Sequence, residues 1–463
     1  MGSYRGLFTE RPALKPQLED GSRVGVIGGG PAGSLFAYFL LRIASRLDLQ
    51  LQVDVYEPKD FNAAAPKGCN MCGGIISERL VQLLAAEGIN LPQSVVQRGI
   101  DSYSMHMDVG SVLIATPLQE KRIAAVHRGG GPRGVQQPRF RSFDGYLLEL
   151  AKGLGAAHIA QRVEGLCRAG SRPVIKTQAG SFEPYDLIVM ATGINAGNPH
   201  LLDGMKVPYK PPAATKTYIC EFWLGRETIK RFLGSSMHVF LLNIPRLEFA
   251  ALIPKGDYAT LCLLGENIDR ALVRSLVDSP ELRRCMPPGW EPPDDFCHCS
   301  PKISVSAAVQ PFADRIVFVG DCGVTRLYKD GIGAAYVTAK AAARAAALHG
   351  IAEEDFRRWY WPACRQIARD NMIGKVIFAV TRQIQKRETL RRAVWRMVAD
   401  EQRQPGPGRM SAVLWDTFTG SARYRDILLR TLHPAFLARL IRETAASIRW
   451  RPAAREESCL PVH

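Results

Sequence analysis

The sequence predicts an α/β protein: a parallel sheet assembled from separated stretches of chain, a second, antiparallel sheet, and a helical C-terminal region. Three observations predict it. Arg23-Val-Gly-Val-Ile-Gly-Gly-Gly-Pro-Ala-Gly33 reads as a buried strand, a glycine turn and a helix start, and Glu57 ends the following strand. The buried-strand pattern returns at 186–193 and again at 315–321. Between them, from 196 to 300, the pattern changes to longer alternating strands, and from 353 to 450 it reads as helix.

Residues 24–27 branch and alternate like a strand buried on both faces, and 34–43 read as a helix. Gly28, Gly30 and Gly33 form Gly-x-Gly-x-x-Gly. Gly28 permits the tight turn, Gly30 lets the backbone approach a pyrophosphate, and Gly33 lets helix and strand pack closely, with Pro31 and Ala32 between them as further candidate cofactor contacts. An anion then sits on the helix N-terminus. Glu57 is placed to accept hydrogen bonds from an adenosine ribose. Glycine turns also join strands to helices without any ligand, but strand before, helix after and acid beyond favour a Rossmann-like, dinucleotide-binding start.

At 463 residues the chain can bury a large core and divides into two or three domains. Its formal net charge of +16 suits an anionic partner: an acidic membrane surface, a phosphorylated substrate or an acidic electron carrier. No basic–aromatic module appears, so nucleic acid is not an expected partner. Eleven cysteines, odd in number and scattered, argue against a disulfide framework and for a reducing cytoplasm. Residues 1–20 lack an apolar signal core and read as a loose arm. No apolar run is long enough to span a bilayer, so any membrane seat is peripheral, on the inner face.

In chain order, 21–98 opens the dinucleotide domain, 99–127 supplies strands to the second sheet, 128–195 returns to the first, 196–300 is the substrate domain, 301–350 completes the first, and 351–463 is the basic helical region. Pro66-Lys-Gly-Cys69-Asn-Met-Cys72-Gly-Gly-Ile-Ile76 is a loop that must approach something closely, with Ser77 capping the next helix. Cys72, before Gly73-Gly74, is the candidate to face a cofactor; the plainer reading is a turn with inert thiols. Cys297-His-Cys299 offers a second thiol pair, but Cys-x-Cys is a poor zinc spacing, and no metal is expected. His127-Arg-Gly-Gly-Gly-Pro-Arg133-Gly reads either as an anion cradle or as a mobile hairpin tip, the second being favoured. Arg141 precedes a helix capped by Ser142 and is a candidate cofactor contact, as are Ala191 and Gly193 in the turn after the second parallel strand.

The Phe249-Ala-Ala-Leu-Ile-Pro254 strand, with Phe249, Ala251, Ile253 and Pro254 as candidate substrate contacts, can line an apolar pocket, although a core strand looks the same. Gly320-Asp321 ends the third parallel strand, where an acid can hold ribityl hydroxyls. Gly331-Ile332-Gly333 starts a small-residue helix whose positive end suits a flavin's pyrimidine edge. Beyond Asn371 the chain carries 16 basic and 6 acidic residues up to Arg451, interleaved with Phe378, Trp395, Trp415, Phe418, Leu428, Leu429, Phe436, Leu440 and Ile441. Such helices can lie on an anionic bilayer or simply cap the fold.

Together these motifs resemble the flavin-dependent geranylgeranyl reductase family, within the flavoproteins of aromatic hydroxylase fold. The resemblance runs from Arg23 to about Ala347 and rests on Gly28-x-Gly30-x-x-Gly33 with Glu57, the Cys72-Gly-Gly loop, Phe143-Asp144, Ala191-Thr-Gly193, and Gly320-Asp321 with Gly331-Ile-Gly333. It departs where the family's Tyr-x-Trp-x-Phe-Pro strand reads Phe249-x-Ala251-x-Ile253-Pro254, and where Leu327-Tyr-Lys329 replaces the usual proline. The resemblance implies an FAD-dependent oxidoreductase that saturates carbon–carbon double bonds of an isoprenoid or other long apolar lipid. The electrons would come from NAD(P)H or ferredoxin, and Cys72 is the candidate catalytic residue. The alternatives are a flavin-dependent monooxygenase of an aromatic or lipid substrate, and a non-catalytic flavin-binding partner protein at a membrane.

Overall fold

The computed structural model describes residues 16–69, 72–116, 120–134, 140–181, 183–195, 200–205, 207–293, 295–403 and 408–449. Most of the N-terminal arm and the Gln404-Pro-Gly-Pro break lie outside the described residues.

A six-stranded sheet carries the strands in the order Phe312–Ala313, Ile316–Phe318, Leu187–Met190, Arg23–Ile27, Gln52–Tyr56 and Ala157–Ile159. All neighbours run parallel except the Phe312–Ala313 edge. Ile27 is opposite both Met190 and Tyr56, and Met190 is opposite Phe318, so four strands end at one level. The segments that follow them, led by Gly28, Glu57, Ala191 and Gly320-Asp321, therefore meet along the carboxyl edge of the sheet, where α/β proteins place ligands.

The helix Pro31–Arg46 begins three residues earlier than the sequence predicts, because Pro31 occupies the first helical position, where its fixed φ suits the turn. It packs against Gly331–Leu348, whose alanines allow a close approach. Two glycines are obligatory. A Cβ on Gly33 would lie 1.9 Å from the Gly28 carbonyl oxygen, and Gly28 has φ +107° with Ala191 O at 2.5 Å from its missing Cβ.

The second sheet orders Cys297–Cys299, Ala214–Trp223, Tyr258–Gly265, Leu247–Lys255, Ser236–Phe240, Ser102–Met107 and Gly110–Ala115, with Lys302–Ser304 also on Ala214–Trp223. It is antiparallel as expected except where Ser236–Phe240 meets Ser102–Met107 in parallel, a pairing between segments over a hundred residues apart. Among the described residues of the 99–127 segment, only Ser102–Met107 and Gly110–Ala115 join this sheet, while Ile123–Val126 pairs with Ile75–Ile76 and Val96–Ile100 in a small separate sheet. The Val163–Ala169 and Arg172–Thr177 strands form another small sheet instead of extending the parallel one.

From Trp361 onward helices cover the second sheet. Trp415, Phe418 and Phe436 are buried against Tyr103, Met105, Met237 and Ile253, with Phe378, Trp395 and Leu440 packed alongside. Of the nine apolar residues interleaved with the basic ones, three are therefore core and three are partly buried beside it, while Leu429 and Ile441 are exposed. Among the described residues no helix is long and apolar enough to cross a membrane.

Candidate functional site

One cavity of about 950 Å³ runs from the carboxyl edge of the parallel sheet to the face of the second sheet. Its size lies at the upper end of what ligand sites offer, enough for an extended cofactor with room beyond it. Gly28, Gly30, Pro31, Ala32 and Glu57 line one end; Ala191, Gly193, Gly320, Asp321, Gly331 and Ile332 the middle; Cys72, Gly73 and Gly74 one flank.

At the first end the Glu57 carboxylate accepts from the Gly29 and Lys59 amides, each at 3.0 Å. Burial raises its pKa while those two amides oppose the rise. The helix Pro31–Arg46 has no side-chain cap at Gly30, so its amide dipoles open directly into the cavity. A Cβ built on Gly30 would lie in ordinary contact with Arg128 Nη2, at 3.8 Å, and Asp144 Oδ2, at 4.0 Å. Arg128 is held by two hydrogen bonds to the fully buried Asp144, at 2.9 and 2.7 Å. An uncapped helix end and a guanidinium beside it are the parts that can hold a pyrophosphate.

Arg128 belongs to the loop that the sequence offers as an anion cradle but reads by preference as a hairpin tip, whereas Arg141 is the arginine it names as a cofactor contact. Arg141 is exposed and stacks on Tyr146, 5.3 Å from the ring centroid, outside the cavity. The reason is the Ser142 cap: its hydroxyl accepts from Gly145 and donates to the Arg128 carbonyl, which turns the preceding residue outward and Arg128 inward. Nor is the Gly-rich loop after Arg128 a hairpin tip, since Gly129 and Gly130 press onto the backbone of Gly68 and Asn62.

Gly33 and Gly333 do not reach the cavity surface; both serve close packing, Gly33 against Gly28 and Gly333 against the Asp330 carboxylate. The amino end of Gly331–Leu348 thus has a carboxylate beside it, which also accepts from Ser77 Oγ at 2.7 Å. Burial raises the pKa of Asp321, which the Thr325 hydroxyl and Arg128 counteract.

The far wall is apolar: Ile219, Met237, Phe249, Ala251, Ile253, Cys262 and Phe418. Phe249, Ala251 and Ile253 share one face of their strand, so Pro254, one residue out of phase, points away and is no contact of the cavity. Into this wall projects Lys329, whose Nζ lies 3.8 Å from the Phe249 ring centroid. Burial lowers the Lys329 pKa to about 7. Its neighbours Tyr328 and Asp330 have φ of +60° and +53°, a left-handed conformation that costs a non-glycine residue about 1–3 kcal/mol and gathers at functional sites. Asn371 holds the loop by accepting from Leu327 N at 2.9 Å and donating to Thr325 O at 2.8 Å. Lys329 was visible in the sequence only as a departure from the proline of related chains.

Cys72 is half-buried, with Sγ 3.4 Å from the Gly74 amide and Arg128 nearby. Beneath its loop lies Lys255, 1% exposed, paired with Glu221 at 3.5 Å; Thr260 donates to the same carboxylate at 2.8 Å. His127, 3.7 Å from Glu221, has its pKa lowered to about 4 by burial and is neutral at physiological pH. Cys69 lies near Cys299, and no disulfide forms among the described cysteines.

No model of a known protein family matches the chain, and no curated protein matches it in sequence. Solved structures do. A flavoprotein/dehydrogenase from Cytophaga hutchinsonii aligns at TM-score 0.58 and 15% identity, over 92% of this chain and 99% of that one. HpxO from Klebsiella pneumoniae, complexed with FAD, aligns at 0.57 and 14%, over 87% and 99%. The tetrameric form of 2-methyl-3-hydroxypyridine-5-carboxylic acid oxygenase aligns at 0.55 and 15%, over 80% and 93%. At these identities the likeness establishes the fold, the one these flavoproteins share.

Proposed function

We propose that the chain is an FAD-dependent oxidoreductase and that it inserts oxygen into a largely apolar substrate held against the Phe249–Ala251–Ile253 wall. The observation that carries the cofactor reading is the continuity of one cavity from the uncapped helix at Gly30, with Glu57 and Arg128, through Asp321 to that wall. The residues fit FAD: Glu57 would hold the ribose, the Gly30–Ala32 amides and Arg128 the pyrophosphate, Asp321 the ribityl chain, and Gly331 and the Cys72 loop the flavin end. The chemistry such a cofactor supplies is two-electron transfer, to a double bond or, with dioxygen, towards insertion of one oxygen atom.

Oxygenation is favoured over the reduction implied by the family resemblance because an oxygenase stands among the proteins of this fold. In that reading the neutral Lys329 amine takes the proton of a substrate hydroxyl, and the apolar wall excludes water. The second reading, double-bond reduction, is supported by Lys329 as an ammonium, a proton donor besides the candidate Cys72. The external donor is proposed to be NAD(P)H or an acidic ferredoxin-type carrier drawn by the +16 charge.

The test is turnover of a polyprenyl phenol, which carries both a phenolic ring and isolated double bonds, with and without dioxygen. Oxygen-dependent gain of one oxygen atom supports the proposal. Anaerobic gain of two hydrogens overturns it in favour of the reductase, and a protein that turns over neither way while FAD stays bound favours a carrier or partner role.

A further inference from the structure

On the face of the second sheet that looks away from the cavity, the strands Ser102–Met107 and Ser236–Phe240 form a buried polar ladder. Ser104 and Ser236 share a hydrogen bond of 2.9 Å, and beyond them His106 Nε2 and His238 Nδ1 stand 2.9 Å apart. The Cys285 thiol, arriving from the segment after the Pro280–Arg283 turn, closes the triangle at 3.6 Å from His106 Nε2 and 3.4 Å from His238 Nδ1. All three residues are buried.

We propose that His106, His238 and Cys285 form a metal site for zinc or a similar borderline-soft cation, separate from the catalytic cavity. Two imidazoles and a thiolate are the donor set such ions select. Zn–N of about 2.0–2.1 Å and Zn–S of about 2.3 Å at tetrahedral angles place N···S edges near roughly 3.5 Å, which both sulfur edges match. The N···N edge needs about 3.3 Å, so the imidazoles part by a few tenths of an ångström on loading.

The outer nitrogens carry the partners that orient metal-bound histidines. His106 Nδ1 meets Ser111 Oγ at 2.8 Å and His238 Nε2 meets the Leu233 carbonyl at 3.2 Å. A carbonyl only accepts, so His238 Nε2 bears the proton and Nδ1 turns its lone pair into the triangle. Glu281 O, 3.5 Å from Sγ, can complete the coordination. Burial pushes the Cys285 thiol up to about 12, with Arg284 opposing the rise and Glu281 adding to it, so an ion that binds here displaces the thiol proton. A bound ion would staple the helical segment 270–286 to two strands distant in sequence, which is a structural role. The rival arrangement is metal-free: His106 donates to His238 and the thiol donates to Glu281 O.

The experiment is metal analysis of the full chain grown with zinc and passed through gel filtration, followed by competition titration of chelator-stripped protein whose fold is checked by circular dichroism. The expected result is about one zinc per chain, at least tenfold less in Cys285→Ser and His238→Gln, and no change in Cys299→Ser. Another first-row metal at the same stoichiometry, lost in the same variants, supports the site and changes its ion. Folded, stripped wild-type chain that takes up no zinc, or Cys285→Ser that keeps its metal, overturns the proposal. Should the variants fail to fold, the wild-type titration decides alone.

Discussion

Lys329 Nζ lies 3.8 Å from the centroid of the Phe249 ring, a cation set on an aromatic face inside an apolar cavity. The ring quadrupole favours the ammonium by a fraction of what desolvation costs it, which is why burial prevails and lowers the pKa to about 7. Near neutrality the residue is poised between donor and acceptor.

Turnover should therefore follow an ionisation near pH 7 that Lys329→Met removes, with kcat falling about 10²–10⁴-fold, as for loss of a general acid or base. Rate against pH in both proteins checks it. Oxygenation predicts a rate that rises through that pKa, and reduction a rate that falls.

The same group predicts a stability trend. Its folded pKa lies below the unfolded value near 10.4, so between about pH 7 and 10 the unfolded chain binds more protons and stability rises with pH. Lys329→Met should stabilise the flavin-free protein by a few kcal/mol below pH 7, and the gain should shrink towards pH 10. Denaturant titrations at several pH values measure it; a gain that does not vary with pH contradicts the burial.

Arg128→Met should destabilise the fold by about 3–5 kcal/mol, because it leaves Asp144 buried without its partner. Arg128→Met/Asp144→Asn should recover a large part of that loss while FAD binding stays weak. Chemical denaturation and flavin titration separate the two effects.

Cys72→Ala should keep bound FAD and lose turnover, as its place beside Arg128 and the Gly74 amide on the cavity flank suggests. Unchanged turnover would make the thiol a packing residue only.

Much of the frame was legible because it rests on local signals. The Gly28–Gly33 turn, Glu57, the Ser77 and Ser142 caps and the Gly331 helix start each stand within a few residues of their cause. What was not legible depends on long-range packing. Arg141 and Arg128 are both arginines near one helix start, and only the hydroxyl of Ser142 bridging to Arg128 O decides which faces inward. Pro254 was lost to the strand's period of two, which shows in sequence only once its buried face is known. For Trp415 and Phe418 the surrounding basic residues leave a bilayer seat and a helical cap equally open, and the sheet face that buries them comes from strands between about 160 and 310 residues earlier. His106, His238 and Cys285 have no mutual sequence signal, since they meet through a parallel pairing that the alternating pattern does not encode.

The most direct test of the account is nucleotide binding by the flavin-free chain, followed by flavin fluorescence and calorimetry. FAD should bind with micromolar or tighter affinity, and FMN, lacking the adenylate proposed to lie at Glu57 and Gly30, at least about a hundredfold more weakly. Glu57→Gln should weaken FAD by about ten- to a hundredfold and leave FMN unchanged. Equal affinity for FAD and FMN, or binding of a nicotinamide dinucleotide in place of FAD, would contradict the account.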